Sequence, residues 1–299
     1  MSLQNELIVR VGLPLYGLKR TLSSAERTRR RIAAQAIRPP RFSPPRILGL
    51  HADVSGGHRN GWPLYSLAPR NGAAPVRHVL YFHGGAYVNE IVFAHWWMLG
   101  LLVRSAPCRV AVPIYPLAAA IGPAQTVATA SEIAQSLIGE VGAEGLVLMG
   151  DSAGGGMALA VAQALRDSGL EPARVILISP WLDLAVDLPE QQSIGPRDAM
   201  LGIPGLQEAG RTYAGGLPLD DPRPSPIHGE MSGLPPITSF TGTEDVLNPD
   251  SHRLQAACRA AGTEFELIEA DGMPHVYPLL PTPEGRAARR QIIERLRSA

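Results

Sequence analysis

Ser152 stands in Gly150-Asp151-Ser152-Ala153-Gly154, a Gly-x-Ser-x-Gly arrangement. A serine hydroxyl is a weak nucleophile near neutral pH. It needs a base within hydrogen-bond reach and a third group to orient that base. The flanking residues suit such a serine. Residues 146–149 form a short apolar run that reads as a buried strand, and residues 157–166 are rich in helix formers. Strand, tight glycine turn and helix would lift the hydroxyl to the strand's carboxyl end. There it would meet the free N–H groups and dipole of the helix start, which favour developing negative charge. A bare Gly-x-Ser-x-Gly arises by chance in about one chain in ten of this length. Its company must therefore separate a nucleophile from a plain turn.

On a parallel α/β sheet the partners of such a serine follow on later strand ends, acid first and histidine second. An apolar run at 237–241 leads into Gly242-Thr243-Glu244-Asp245-Val246-Leu247, and one at 264–268 leads into Glu269-Ala270-Asp271-Gly272-Met273-Pro274-His275. His275 is the histidine in a turn-rich loop after a late strand, and it is the candidate base. Glu244 and Asp245 both qualify as its acid. Asp250 reads as an N-cap of the next helix, and Asp271 lies in the histidine loop itself. The strand at 76–82 ends in His83-Gly84-Gly85-Ala86-Tyr87. Consecutive glycines let backbone N–H groups converge on one point, a cradle for an oxyanion together with the N–H of Ala153.

These groups need a scaffold, and 299 residues suffice for one large α/β domain with a subdomain. From residue 76 onward, apolar strand runs alternate with helical stretches at 88–104, 124–138, 250–261 and 283–297. This predicts a mostly parallel sheet covered on both faces. Runs at 47–54 and 62–67, separated by turn-rich residues 55–61, predict an antiparallel hairpin at the sheet edge. Residues 183–234 break the alternation, being rich in Pro and Gly with one helical stretch at 204–213. A loop that long is improbable in a compact domain, so an inserted cap is expected. Residues 4–37 read as helical with a break at Gly12-Leu13-Pro14, and the prolines at 39–40 and 44–45 end them. The expected organisation is an N-terminal helical cap region at 1–45, a catalytic core at 46–185 and 218–299, and a cap segment at 186–217.

Lys plus Arg and Asp plus Glu number 27 each, so no global field recruits nucleic acid. Arg27-Thr28-Arg29-Arg30-Arg31 is the sharpest local charge feature. It reads as a solvated helix face, with a transit peptide, an anionic-lipid contact or a partner site as the functional alternatives. No apolar run is long enough to suggest a membrane span, and no secretory pattern opens the chain. Cys108 and Cys258, the two cysteines, read as core thiols, which points to a reducing, cytoplasmic setting. Oligomeric state is open, a homodimer being compatible with everything above.

Taken together, His83-Gly84-Gly85-Ala86-Tyr87, Gly150-Asp151-Ser152-Ala153-Gly154-Gly155, Ser179-Pro180-Trp181-Leu182-Asp183, Gly242-Thr243-Glu244-Asp245-Val246-Leu247 and Gly272-Met273-Pro274-His275 resemble the hormone-sensitive-lipase family of α/β-hydrolases, in order and in rough spacing over residues 76–297. The resemblance implies a capped esterase fold with Ser152 as nucleophile, His275 as base and Asp245, three residues after the glycine, as acid. It implies oxyanion donors at the N–H groups of Gly84, Gly85 and Ala153. It also implies an ester of small-to-medium acyl size as substrate, with no metal or cofactor. Tyr87 and Tyr213 are expected to line the pocket, and His83 and Asp183 to be structural. Two departures stand out. Ala86 replaces a frequent third glycine, and Tyr115-Pro116-Leu117-Ala118-Ala119-Ala120 lacks the family's arginine and glutamate. Amide, formamide or lactone cleavage on the same triad remains open, as does a non-catalytic receptor on this scaffold, a role some relatives such as the gibberellin receptors adopt after losing the histidine.

Overall fold

A computed structural model describes residues 2–70, 72, 74–118 and 120–298; Ala119, in the departing stretch above, lies outside them. Eight strands form one sheet: β1 (Asp53–Arg59), β2 (Trp62–Ala68), β3 (Arg77–Phe82), β4 (Cys108–Pro113), β5 (Leu146–Asp151), β6 (Arg174–Ile178), β7 (Ile237–Gly242) and β8 (Phe265–Ala270). Their spatial order is β1-β2-β4-β3-β5-β6-β7-β8. From β4 to β8 all neighbours are parallel, while β2 pairs antiparallel with both β1 and β4. The central strands are buried on both faces, which explains their continuous apolar runs. Val79, Val147 and Ile176 pack into the core on one face, and Leu80, Leu148 and Leu177 into the core on the other.

Several boundaries differ from the expected ones for identifiable reasons. The edge hairpin turns at Asn60-Gly61, not across residues 55–61. Asn60 and Gly61 both take positive φ (50° and 81°), the two-residue turn whose twist matches the flanking strands. The glycines at 56 and 57 thus lie within β1, and residues 46–50 form a 3-10 turn instead of a strand. The helix expected from 88 spans Phe93–Ser105, because residues 84–92 form the loop after β3. Asp250 is not an N-cap but sits inside the first turn of the helix Asn248–Ala261.

The N-terminal segment stays helical through Gly12-Leu13-Pro14 and breaks at Gly17, where φ is 78°. Pro14 falls in the first turn of Leu13–Tyr16, where a missing N–H costs little. The cap segment holds two helices, Pro189–Ile194 and Ile203–Ala214; the first was not anticipated. The N-terminal segment packs against the segment 186–217: Arg29 of the helix Ala25–Ile37 pairs with Glu208 of the helix Ile203–Ala214 at 3.2 Å. Cys108 and Cys258 are buried free thiols, and burial pushes them up to about 12 and about 11.

Candidate active site

β5 runs from Leu146 to Asp151 and the helix Ala153–Asp167 begins directly after Ser152. Ser152 is the hinge, held at φ 52° and ψ −122°. Such a conformation costs a non-glycine residue about 1–3 kcal/mol and persists only when its surroundings impose it. They do so here. The Ser152 N–H donates to the Ile178 carbonyl at 2.9 Å, and the Trp181 N–H donates to the Ser152 carbonyl at 2.9 Å. The glycines of the turn permit the approach. A Cβ at Gly150 would lie 2.1 Å from the Gly154 carbonyl oxygen, and one at Gly154 would lie 2.0 Å from that of Phe82.

Asp245 and His275 come from the loops after β7 and β8. His275 Nδ1 lies 2.9 Å from Asp245 Oδ2, with His275 3% exposed and Asp245 fully buried. A carboxylate only accepts, so Nδ1 carries the proton and donates, leaving Nε2 as the basic nitrogen of the neutral ring. The other Asp245 oxygen accepts the Leu247 N–H at 2.9 Å. The two loops are tied together by the Glu244 N–H donating to the Met273 carbonyl (3.0 Å) and by the Gly272 N–H donating to Thr243 Oγ1 (2.8 Å). The Val276 N–H, next to the histidine, donates to Ser179 Oγ at 2.9 Å. Glu244, the other acid, pairs with Arg197 at 2.9 Å, and Asp271 accepts from Thr243 Oγ1 at 3.3 Å. Only Asp245 of the three meets His275.

Burial alone would lower the His275 pKa. The Asp245 charge and hydrogen bond, with smaller contributions from Asp198 and Asp151, outweigh it and raise the value above 6.5. Asp198, on the cap segment, was not singled out by sequence. Its Oδ1 accepts the N–H groups of Met200 and Leu201 (both 2.7 Å), and its Oδ2 accepts that of Val246 at 2.9 Å. Burial, then the Asp245 charge, pushes it up to about 6. An acid next to an arginine in a proline- and glycine-rich stretch carries no sequence signal for this role.

The loop after β3 corrects one expectation. The Gly84 N–H donates to Asp151 Oδ1 at 2.8 Å, so it is not free to meet an oxyanion. Asp151 also accepts from the Tyr81 hydroxyl and, on Oδ2, from His95 Nε2 at 3.2 Å. The Val92 N–H donates to His95 Nδ1 at 3.0 Å, which leaves the ring proton on Nε2. Burial alone would raise the Asp151 pKa, but His95, Tyr81 and Gly84 outweigh it and lower the value. Gly85 and Ala86, by contrast, line the cavity, and among the described residues their N–H groups meet no acceptor. Ala86 and Tyr87 take positive φ (53° and 59°) where this loop turns. His83 stacks on Tyr115 at 4.3 Å and its carbonyl accepts the Tyr115 hydroxyl at 2.6 Å. Burial and the facing His95 push His83 down to about 4, so it is neutral near pH 7.

Ser152, His275, Gly85 and Ala86 share one cavity of about 520 Å³. Its walls include Leu13 and Leu22 of the N-terminal segment and Leu201 of the cap segment. Tyr87 and Tyr213 do not line it. They are buried, 2% and 1% exposed, and stack on each other at 3.6 Å with ring planes 7° apart. They join the β3 loop to the cap helix as packing. A second, more open cleft of about 660 Å³ lies between Leu50–His51, Pro69–Arg70 and residues 103–107, at the opposite end of the sheet. Among the described residues, no group of three or more His, Cys, Asp or Glu side chains is placed to hold a metal ion.

A parallel sheet with a strained serine after a central strand, followed in chain order by an acid and a histidine that meet, defines the class of α/β-hydrolases. The chain belongs to the α/β-hydrolase fold family, whose sequence pattern matches residues 79–279, and within it to the hormone-sensitive-lipase-like branch. It is a hydrolase of the esterase and lipase type. LipR of Mycobacterium tuberculosis is 35% identical over 241 residues, spanning 79% of this chain and 78% of that protein. An acetyl-hydrolase of Streptomyces hygroscopicus is 35% identical over 225 residues, 71% of this chain and 72% of that one. The crystal structure of a hormone-sensitive lipase from a metagenome library superposes with a TM-score of 0.81 at 26% identity, covering 96% of this chain and 97% of that one.

Proposed function

We propose that this protein is a serine carboxylester hydrolase in which Ser152, His275 and Asp245 form the catalytic triad. One observation carries the reading: the buried 2.9 Å pair of His275 and Asp245 opens onto the same cavity as the strained Ser152. His275 Nε2 takes the hydroxyl proton as Ser152 Oγ attacks the ester carbonyl. Asp245 holds the ring tautomer and stabilises the imidazolium. The tetrahedral oxyanion is held by the N–H groups of Gly85, Ala86 and Ala153. Ala86 takes the place that Gly84, bonded to Asp151, cannot fill. Collapse of the intermediate transfers the proton to the leaving alcohol and leaves an acyl-Ser152. Water, activated by the same histidine, then releases the acid.

A cavity of about 520 Å³ with leucine walls suits an acyl group of small to medium size, in keeping with the acetyl-hydrolase among the relatives. The test is a panel of esters graded in acyl length, run beside matched amides, formamides and lactones, on wild type and Ser152→Ala. The variant should lose about 10⁴-fold or more of ester turnover while keeping its unfolding midpoint. A fluorophosphonate should label Ser152 alone. Turnover retained in the variant would remove the serine from the mechanism. Faster amide or lactone cleavage would move the assignment to that substrate class.

A further inference from the structure

The N-terminal helix and the basic run take no part in the proposed chemistry, yet both border the cavity. From Leu3 to Tyr16 the backbone is helical: Leu3–Leu7 passes through a π-helical turn, Ile8–Gly12, into Leu13–Tyr16. Leu7, Ile8, Gly12 and Leu13 all keep right-handed helical torsions at the junctions. Leu13 is buried and lines the cavity wall. Leu3, Leu7, Val11 and Leu15 point the other way and are 85%, 64%, 47% and 81% exposed. A step of four residues keeps side chains on one side of a helix. The segment is therefore apolar on two sides, one facing the cavity and one facing water. An aliphatic stripe left in water marks a surface that meets something apolar.

Charge narrows what that is. The first 45 residues hold nine Lys or Arg and two Asp or Glu, a net charge of +7, and the rest of the chain is therefore −7. Their acids, Glu6 and Glu26, are already paired with Arg10, Arg29 and Arg30. Arg20, Arg27, Arg38 and Arg41 are exposed and form no ion pair among the described residues. Arg31 and Arg41 stand on the cavity wall itself. A second copy of the chain docking on the same face would bring the same excess positive charge against it, which opposes that pairing. An anionic lipid surface answers both features. Its acyl boundary accepts aliphatic side chains and its headgroup phosphates accept guanidinium groups.

We propose that the N-terminal segment docks this protein on an anionic lipid surface, with Leu3, Leu7, Val11 and Leu15 at the acyl boundary and Arg20, Arg27 and Arg38 against the headgroups. The contact is peripheral, since no helix among the described residues is long and apolar enough to cross a membrane. The docking itself does not depend on the triad and is read without turnover.

The test is flotation of the whole protein with vesicles of phosphatidylcholine, with and without phosphatidylglycerol, at low and high salt. Binding is expected to the phosphatidylglycerol vesicles and to weaken as salt rises. Leu7→Ser/Leu15→Ser should weaken it by about tenfold or more. Arg20→Gln/Arg27→Gln should weaken it by about 25-fold, roughly fivefold for each charge removed. Both variants should keep the wild-type thermal unfolding midpoint, which shows that they are folded. No binding, equal binding to pure phosphatidylcholine, or unaltered binding in either variant overturns the proposal. So does a concentration-dependent dimer that Leu7→Ser/Leu15→Ser abolishes, which would assign the stripe to a second copy.

Discussion

Asp198 Oδ2 accepts the Val246 N–H at 2.9 Å, so a cap carboxylate holds the backbone immediately after Asp245. Its charge also adds to the field that raises the His275 pKa. Asp198→Asn keeps the side-chain shape but turns an amide toward donor N–H groups and removes the charge. The acid limb of the kcat/KM profile should move to lower pH, because His275 loses a stabilising anion. The turnover plateau should fall by about tenfold as the Asp245 loop loosens. A full pH–rate profile of both proteins checks this; a lower plateau with an unmoved limb would reduce Asp198 to a structural tether.

In the wild type, turnover should fall as pH drops, with the midpoint above 6.5, since in the proposed mechanism only neutral His275 accepts the serine proton. The stability contribution runs the other way. A folded pKa raised above the unfolded one favours the folded state fully below about pH 6.5. That contribution disappears as pH rises through the folded value. Titration of the His275 ring by NMR, alongside kcat/KM against pH, tests both signs.

Asp151 anchors the β3 loop through Gly84, Tyr81 and His95. Asp151→Ala frees the Gly84 amide and strands two buried donors. The expected cost is about 3–5 kcal/mol of stability and about 100-fold in turnover through misplaced Gly85 and Ala86 amides. Tyr81→Phe removes one donor only and should cost about 1–2 kcal/mol. The Asp151 pKa is lowered by folding, so its stabilisation is present above about pH 4 and lost as pH falls through the folded value. Chemical denaturation at several pH values measures each figure.

Two glycine-to-alanine changes should have opposite signs. A Cβ at Gly154 would meet the Phe82 carbonyl oxygen at 2.0 Å, whereas one at Gly139 meets nothing within 4 Å. Gly154→Ala should destabilise by more than about 4 kcal/mol or prevent soluble expression. Gly139→Ala, on the exposed side of the helix Pro123–Val141, should stabilise by about 1 kcal/mol. Thermal unfolding of the pair gives the comparison.

Glu90 lines the cavity, its Oε2 is buried without a partner, and burial pushes it up to about 7. Above that pH a negative charge appears on a cavity wall that also carries Leu13, Leu22 and Leu201. KM for apolar esters should therefore rise between pH 6 and pH 8, and Glu90→Gln should flatten the change while leaving the His275 limb of kcat in place. A KM series across pH with one neutral ester decides it.

The sequence by itself carried the strand, turn and helix around Ser152, the alternation that makes the sheet parallel, and the chain order of serine, acid and histidine. Local chemistry determines those features: apolar runs, glycine turns and helix-forming stretches act over a few residues. It also carried the presence of a glycine-rich loop after β3. Which amides of that loop stay free was decided by tertiary structure, because Gly84 finds its acceptor on Asp151, 67 positions along the chain. Among Glu244, Asp245 and Asp271 the residues themselves left the choice open, and only the family resemblance pointed to Asp245. Neighbouring carboxylates differ little in sequence, yet one points at His275, one at Arg197 and one at Thr243. Tyr87 and Tyr213 looked like lining residues and instead stack together, since aromatic area is buried wherever two surfaces can close on it. The stripe of Leu3, Leu7, Val11 and Leu15 is written in the sequence as an ordinary helical period. Only the fold shows that the core uses Leu13 and leaves those four in water.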